Sequence, residues 1–313
     1  MALAEAYLFS NEYKKSKELL LPLLEKNEVM SQTYELLGRI ELENNNYPKA
    51  AEHFQKIIDK DLKNRVGWIM LGIVYTQMDS LNKTENLYRK ALQYLPDDPH
   101  VLAFHGISLS RLGKDEEALS PLQKAIEIDP KNLNALNNFG ISLNRLQRNE
   151  EAIEPLESVL KIEPDNLTAL TTLGMIYDDL KLYVKCDTLY ERALQTYPDN
   201  DLLMNNYSYS LSVRGENLEY ALQLAQKSVE AQPQNGAYLD TIGWIYYKLG
   251  RFELALKYIK ESIENREPSP VVREHLGDVY LKLGDIKQAK IHWNEALEMD
   301  KSNEELRHKI ENN

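Results

Sequence analysis

Cysteine is nearly absent from these 313 residues, with Cys186 standing alone. One cysteine reports no redox compartment. It stands where equivalent stretches of the chain carry Ala118, Ala152, Ala255 and Ala289, which marks a small buried filler rather than a reactive thiol. Long hydrophobic runs are also lacking. The longest are a few residues, far short of the roughly 20 that span a bilayer, so no direct membrane insertion is expected of this segment. Positive charge is in deficit, with 37 basic against 49 acidic residues and a net charge of −12. No basic cluster interleaves with aromatics, which argues against a nucleic-acid partner. Phosphate loop, nucleophile elbow and HExxH pattern are all missing, so no enzyme chemistry, cofactor or metal is expected.

What is present is a period. Gly38, Gly72, Gly106, Gly140, Gly174, Gly243 and Gly277 recur every 34 residues, except that Ser208 fills one slot and the interval after it is 35. Self-similarity of this length is the signature of stacked helix pairs. With 43% hydrophobic and 27% charged residues the chain can bury a long core. No linker interrupts the register from Leu3 to Lys301, which predicts one continuous array over 1–313.

The period also places the helices. From Pro270, apolar Leu276, Val279, Tyr280 and Leu283 fall at helical spacing, Gly284-Asp285 interrupts, and Ala289, Ile291, Trp293, Ala296 and Leu297 make a second stripe. Gly113, Gly215, Gly250 and Gly284 lie at such breaks, where a left-handed residue closes the first helix. Pro96, Pro130, Pro164, Pro198 and Pro233 separate one hairpin from the next. Trp68, Tyr75, Tyr88, Tyr177, Tyr190, Tyr246, Tyr280 and Trp293 take the large-residue packing slots and carry no functional assignment.

Stretches such as Trp68 to Tyr75 (WIMLGIVY), Gly140 to Ala152 and Leu276 to Ala296 resemble the tetratricopeptide repeat (TPR). The resemblance covers nearly the whole chain: a partial repeat over 1–30, eight full repeats over 31–303 and a capping helix over 304–313. The full repeats start at Ser31, Arg65, Pro99, Leu133, Leu167, Asp201, Gly236 and Pro270. It implies an all-α, right-handed superhelical solenoid of helix-turn-helix hairpins whose first helices line a concave groove. It implies a protein or peptide partner, held alone or within a multiprotein complex. The C-terminal half is similar to bacterial members of the family, many of them envelope-associated; localisation stays open, cytoplasmic as the chain is given and periplasmic or envelope-associated if an N-terminal signal is missing. Leu3, Ala4 and Tyr7 already occupy mid-helix slots, so an opening turn is expected upstream of residue 1.

The inner slots change character along the chain. Asn138, Thr172, Asn206 and Thr241 share one slot in successive repeats, flanked by Asn137, Thr171 and Asn205. Groups that both donate and accept could satisfy an extended peptide backbone without reading its sequence. Ordinary hydrophilic filling of an exposed face is the competing reading. The row resembles the asparagine ladder of repeat-bearing O-linked N-acetylglucosamine transferases, with only Asn138 and Asn206 matching it. Further on, Tyr209 and Trp244 align one repeat apart, Tyr247 shares the face of Trp244, and Asp240, Glu274, His275 and Asp278 surround them. Aromatics on an exposed slot are favoured interface anchors. His275 without a second histidine at i+4 is read as a polar surface group rather than a metal ligand. The inner slots lack the paired lysine and asparagine of the chaperone-tail clamp, which disfavours that activity. The leading expectation is a non-catalytic scaffold binding a peptide or folded partner in the groove; the alternative is the substrate-recruiting region of a larger enzyme such as a glycosyltransferase.

Overall fold

The computed structural model describes residues 1–25, 30–267 and 269–312. Among them every regular element is helical. The pairs are α1 (Ala2–Phe9) with α2 (Tyr13–Leu20), α3 (Ser31–Glu43) with α4 (Tyr47–Lys60), α5 (Arg65–Gln77) with α6 (Leu81–Ala91), and α7 (Pro99–Arg111) with α8 (Asp115–Ile128). They continue with α9 (Leu133–Arg145) and α10 (Asn149–Ile162), α11 (Leu167–Asp179) and α12 (Tyr183–Thr196), and α13 (Asp201–Arg214) and α14 (Leu218–Ala231). Last come α15 (Gly236–Lys248) with α16 (Phe252–Asn265), α17 (Pro270–Lys282) with α18 (Ile286–Met299), and the terminal α19 (Glu304–Asn312). A 3-10 turn at Leu21–Glu25 follows α2. The eight expected repeat starts are the first residues of α3, α5, α7, α9, α11, α13, α15 and α17.

Two devices set these boundaries, one at each end of the first helix. A short polar side chain caps its start: Asn64, Asp98, Asn132, Asn166, Asn200, Asn235 and Ser269 each accept from a backbone N–H of the first turn. A left-handed residue ends it. Gly113, Gly215, Gly250 and Gly284 have φ of 74, 74, 73 and 85°, as their spacing predicts. The same slot is filled by Asn11, Asn45, Asp79, Gln147 and Lys181 at φ of 60, 56, 52, 60 and 57°. The conformation is thus imposed by the hairpin and not by glycine alone. The extra residue of the 35-residue interval lies in the turn between α13 and α14, where Asn217 adopts a second left-handed conformation at φ 46°.

The period-marking glycines admit the partner helix. A β-carbon on Gly174 would come within 2.5 Å of the Tyr190 ring, which is itself 1% exposed. Trp68, Tyr88 and Trp293 are fully buried and Tyr177 and Tyr246 nearly so, whereas Tyr75 and Tyr280 are half-buried. Cys186 is buried, and burial pushes its thiol up to about 11, away from reactive thiolate chemistry.

The helices group into two compact units, 1–172 and 173–313, parted within α11. The first is built on apolar clusters such as Phe54, Ile57, Trp68, Leu71, Val74 and Val101. The second holds Leu203, Tyr207, Leu211, Ile242, Ile245 and Ile259, and closes on Ala289, Trp293, Ala296 and Leu306, where α19 packs.

Candidate partner-binding surface

The second unit brings six of the expected site residues into one cluster on α15 and α17. Asp240, Trp244 and Tyr247 sit on one face of α15 because they are spaced by four and three residues; on α17 Asp278 lies four residues from Glu274 and three from His275, beside both on the helix surface. The Trp244 ring is stacked on His275 at 3.9 Å between centroids and 13° between planes. It is also stacked on Tyr247 at 4.6 Å and 7°. Lys248 lies 5.1 Å from its centroid. Phe252 supports Tyr247 at 5.7 Å. The tryptophan is half-buried, held flat by its neighbours while part of its surface stays open.

Beneath the stack, polar groups answer one another. His275 Nδ1 lies 3.0 and 3.2 Å from the two carboxylate oxygens of Asp240, and both residues are 7% exposed. This corrects the expectation that they face solvent: the carboxylate one hairpin back takes the ring N–H, and Trp244 covers the ring. Thr241 is 3% exposed, its hydroxyl donating to Ala237 O of its own helix at 3.0 Å, so it is not an open groove donor either.

Glu274 and Asp278 are joined by a residue that the pattern of inner slots did not single out. Lys309 of α19 donates to Glu274 and to both Asp278 oxygens, at 2.9 and 3.0 Å for the latter. Asp278 also accepts from Trp293 Nε1 at 2.9 Å. Burial opposes the charge on Lys309, yet the two carboxylates hold its pKa above the ordinary lysine value. Burial, with Asp278 close by and Lys309 opposing it, raises the Tyr247 phenol. The signal for Lys309 was in the sequence: it shares a helix face with Leu306 and Ile310 opposite an acidic pair at i, i+4.

Among the described residues Tyr209, Asn206, Asn138 and Thr172 take no part in the ring stack or the ion pairs of this cluster. Tyr209 is half-buried and makes no ring contact with Trp244; burial and then Asp240 raise its phenol. Asn206 Nδ2 lies 3.7 Å from Met175 Sδ. Asn138, in the first unit, turns its amide back to Asn134 O at 2.8 Å, and Thr172 is half-buried at that unit's end. The flanking Asn137 and Asn205 are 9% and 7% exposed, and each has a buried carbonyl oxygen without a hydrogen bond. Among the described residues no group of three or more His, Cys, Asp or Glu could hold a metal ion, and no helix is long and apolar enough to cross a membrane.

Comparison with known proteins matches this geometry to one family. Models described as tetratricopeptide repeat match residues 1–63, 122–154, and the four stretches 99–132, 167–200, 237–268 and 272–303. A crystal structure of a tetratricopeptide repeat protein from Parabacteroides merdae shares the fold at TM-score 0.64 and 18% identity, over 82% of this chain and 97% of that one. So does the APC/C hetero-tetramer Cut9-Hcn1, at TM-score 0.68 and 15% identity over 97% of this chain and 59% of that one. The general transcriptional corepressor trfA of Dictyostelium discoideum is 40% identical over 74 residues, which is 23% of this chain and only 5% of the corepressor.

Proposed function

This chain belongs to the tetratricopeptide repeat family, and we propose that it is a non-catalytic scaffold that holds a protein or peptide segment, with Trp244 as its anchor. Repeats of this kind make it an interaction scaffold; the choice of surface rests on its own residues. The observation that carries it is the three-ring stack of His275, Trp244 and Tyr247, with Trp244 half-exposed at its centre. A large ring fixed before the partner arrives loses little side-chain freedom on binding, which is what distinguishes an anchor from a mobile surface aromatic. The acids favour binding over catalysis, since Asp240 is engaged by His275 and Glu274 and Asp278 by Lys309. Asn206 and Tyr209 offer further contacts in the same unit, and Asn138 and Thr172 offer amide and hydroxyl groups in the first. The likeness to a subunit of a multiprotein assembly supports a place in a larger complex, and the net charge of −12 favours a protein over a nucleic acid.

The test is affinity capture with wild-type protein and Trp244→Ala, followed by titration of each captured partner. Loss of the ring should weaken a true partner by about 2–4 kcal/mol, roughly 30- to 1,000-fold in Kd. Circular dichroism must show the variant still helical. Identical partner profiles and affinities would remove the site.

A further inference from the structure

The first unit holds a cavity of about 160 Å³, lined by Ile73 of α5, Leu81 and Tyr88 of α6, and Phe104 and Ile107 of α7. That is about the size of a buried cavity that takes up benzene, which is room for one large apolar side chain. Arg111, at the end of α7, is the only charged residue of its lining. Its guanidinium has no hydrogen bond or ion pair among the described residues, in a protein with 12 more acidic than basic side chains.

The next hairpin shows why Arg111 is unpaired. Arg145 occupies the same slot 34 residues on, and it is tied down: its Nη1 donates to the Ser110 carbonyl at 3.2 Å and hydroxyl at 3.1 Å, and lies 3.5 Å from Asp115. The corresponding partners for Arg111 lie 34 residues before Ser110 and Asp115. They are Thr76 and Leu81. Thr76 turns its hydroxyl back to Gly72 O at 2.9 Å, and Leu81 has no charge to offer. Nor does a nearby acid substitute: Glu85 of α6 is engaged by His105 at 3.4 Å and Arg89 at 3.5 Å. Replacing the acid by leucine thus leaves an apolar cavity and an unanswered cation together at one place.

We propose that this cavity is a second binding site, which takes an internal segment of an acidic partner protein, with an aromatic or large aliphatic side chain in the cavity and a neighbouring Asp or Glu carboxylate on Arg111. The guanidinium fork accepts a carboxylate through two parallel N–H donors, the stronger form of such pairs. Thr76, Gln77, Thr84 and Ser108 of the lining are uncharged, which leaves Arg111 as the only charge at the cavity. A cationic segment would meet no acid there and one repelling charge.

The probe is a short fluorescent peptide, acetylated and amidated at its ends, with one phenylalanine between glutamates, titrated by anisotropy against the full chain. Arg111→Gln should weaken it about tenfold or more without changing the melting temperature, because Arg111 is exposed and holds nothing in the fold. Ile73→Asn should weaken it comparably. The peptide with alanine for phenylalanine, and the one with lysines for glutamates, should bind at least about tenfold more weakly. Trp244→Ala should bind the peptide as wild type does, which separates this site from the anchor in the second unit. Equal affinity for Arg111→Gln overturns the proposal, as does equal affinity for the lysine peptide. Binding only by a version with a free C-terminal carboxylate would overturn it in favour of a chain terminus. Self-association abolished by Arg111→Gln, with no peptide binding, would overturn it in favour of a second copy of this chain.

Discussion

The Trp244 cluster and the Arg111 cavity sit on the same repeated framework and differ in how their charges are answered. Around Trp244 each acid has a cation or an imidazole in contact, and the aromatic ring is held between two others. Around Arg111 the repeat has lost the acid that the next hairpin keeps, and the cation has no partner among the described residues. The first arrangement is rigid before it binds; the second carries an interaction that only a partner can complete. A repeat protein can therefore make distinct sites by small substitutions at fixed slots, because the helices beneath are specified by other positions.

The largest expected effects break the framework itself, and they test whether the two units respond separately. Gly174→Leu would drive a side chain into the buried Tyr190 ring and should cost about 1–3 kcal/mol. Hydrogen exchange should accelerate most in residues 173–313. Gly106→Leu, whose β-carbon would meet Leu122 at 2.5 Å, should instead loosen the first unit. Uniform acceleration along the chain in both variants would show that the division within α11 has no energetic meaning.

Removing one partner of a buried pair comes next. Asp240→Ala leaves the His275 ring N–H buried beneath Trp244 without an acceptor, at a cost of about 1–3 kcal/mol. Tryptophan emission gives a local readout, since Trp68 and Trp293 are fully buried and only Trp244 contacts this pair. An unchanged spectrum and melting curve would mean that the pair does not position the stack. Arg111→Gln, by contrast, should leave the first unit's melting unchanged.

The helices were legible from sequence because the information is periodic and local. Glycine at each close approach, an apolar stripe and proline between hairpins recur often enough to fix the starts from Ser31 to Pro270. The site was less legible, because slot arithmetic says which face a residue occupies but not what covers it. The spacing puts Asp240, Thr241 and His275 on solvent-facing slots, whereas the structure buries all three, with Trp244 stacked on the His275 ring and His275 paired with Asp240 of the neighbouring hairpin. The role of Lys309 does not follow from the repeat pattern, because its partners lie more than 30 residues away. The N-cap row from Asn64 to Ser269 recurs with the same period and is equally local.

A paired acid in the first unit sharpens the contrast with Arg111. Glu41, 4% exposed, is 2.6 Å from Lys17 and accepts from Asn46. Burial opposes its ionisation, but the Lys17 ammonium and the Asn46 amide outweigh it and hold the carboxyl below the usual range. Because the folded value lies below the unfolded one, this contribution is fully present above the unfolded carboxylate pKa of about 4.3 and is lost as the pH falls through the folded value. Glu41→Gln should therefore destabilise at pH 7 by about 1–2 kcal/mol and much less in acid. A loss of the same size at pH 7 and at pH 3 would exclude the ion pair as its source.

The smallest effect lies in the turns, where the framework carries strain that glycine would relieve. Lys181 holds φ 57° between α11 and α12, and Gln147 holds 60° between α9 and α10. A left-handed residue with a side chain costs about 1–2 kcal/mol, partly offset when glycine replaces it by the greater freedom of the unfolded chain. Lys181→Gly and Gln147→Gly should each stabilise by about 0.5–1 kcal/mol, seen as a rise in melting temperature of a few degrees at most. Gly113→Ala, at φ 74° with nothing within 4 Å of its missing β-carbon, should destabilise by a similar amount through backbone strain alone. Opposite signs at equivalent slots would show that the hairpin turn imposes its conformation on whatever residue it receives. A stability loss in all three would show instead that Lys181 and Gln147 hold contacts worth more than the strain, so that those turns, like the acid missing near Arg111, are individual features of their hairpins.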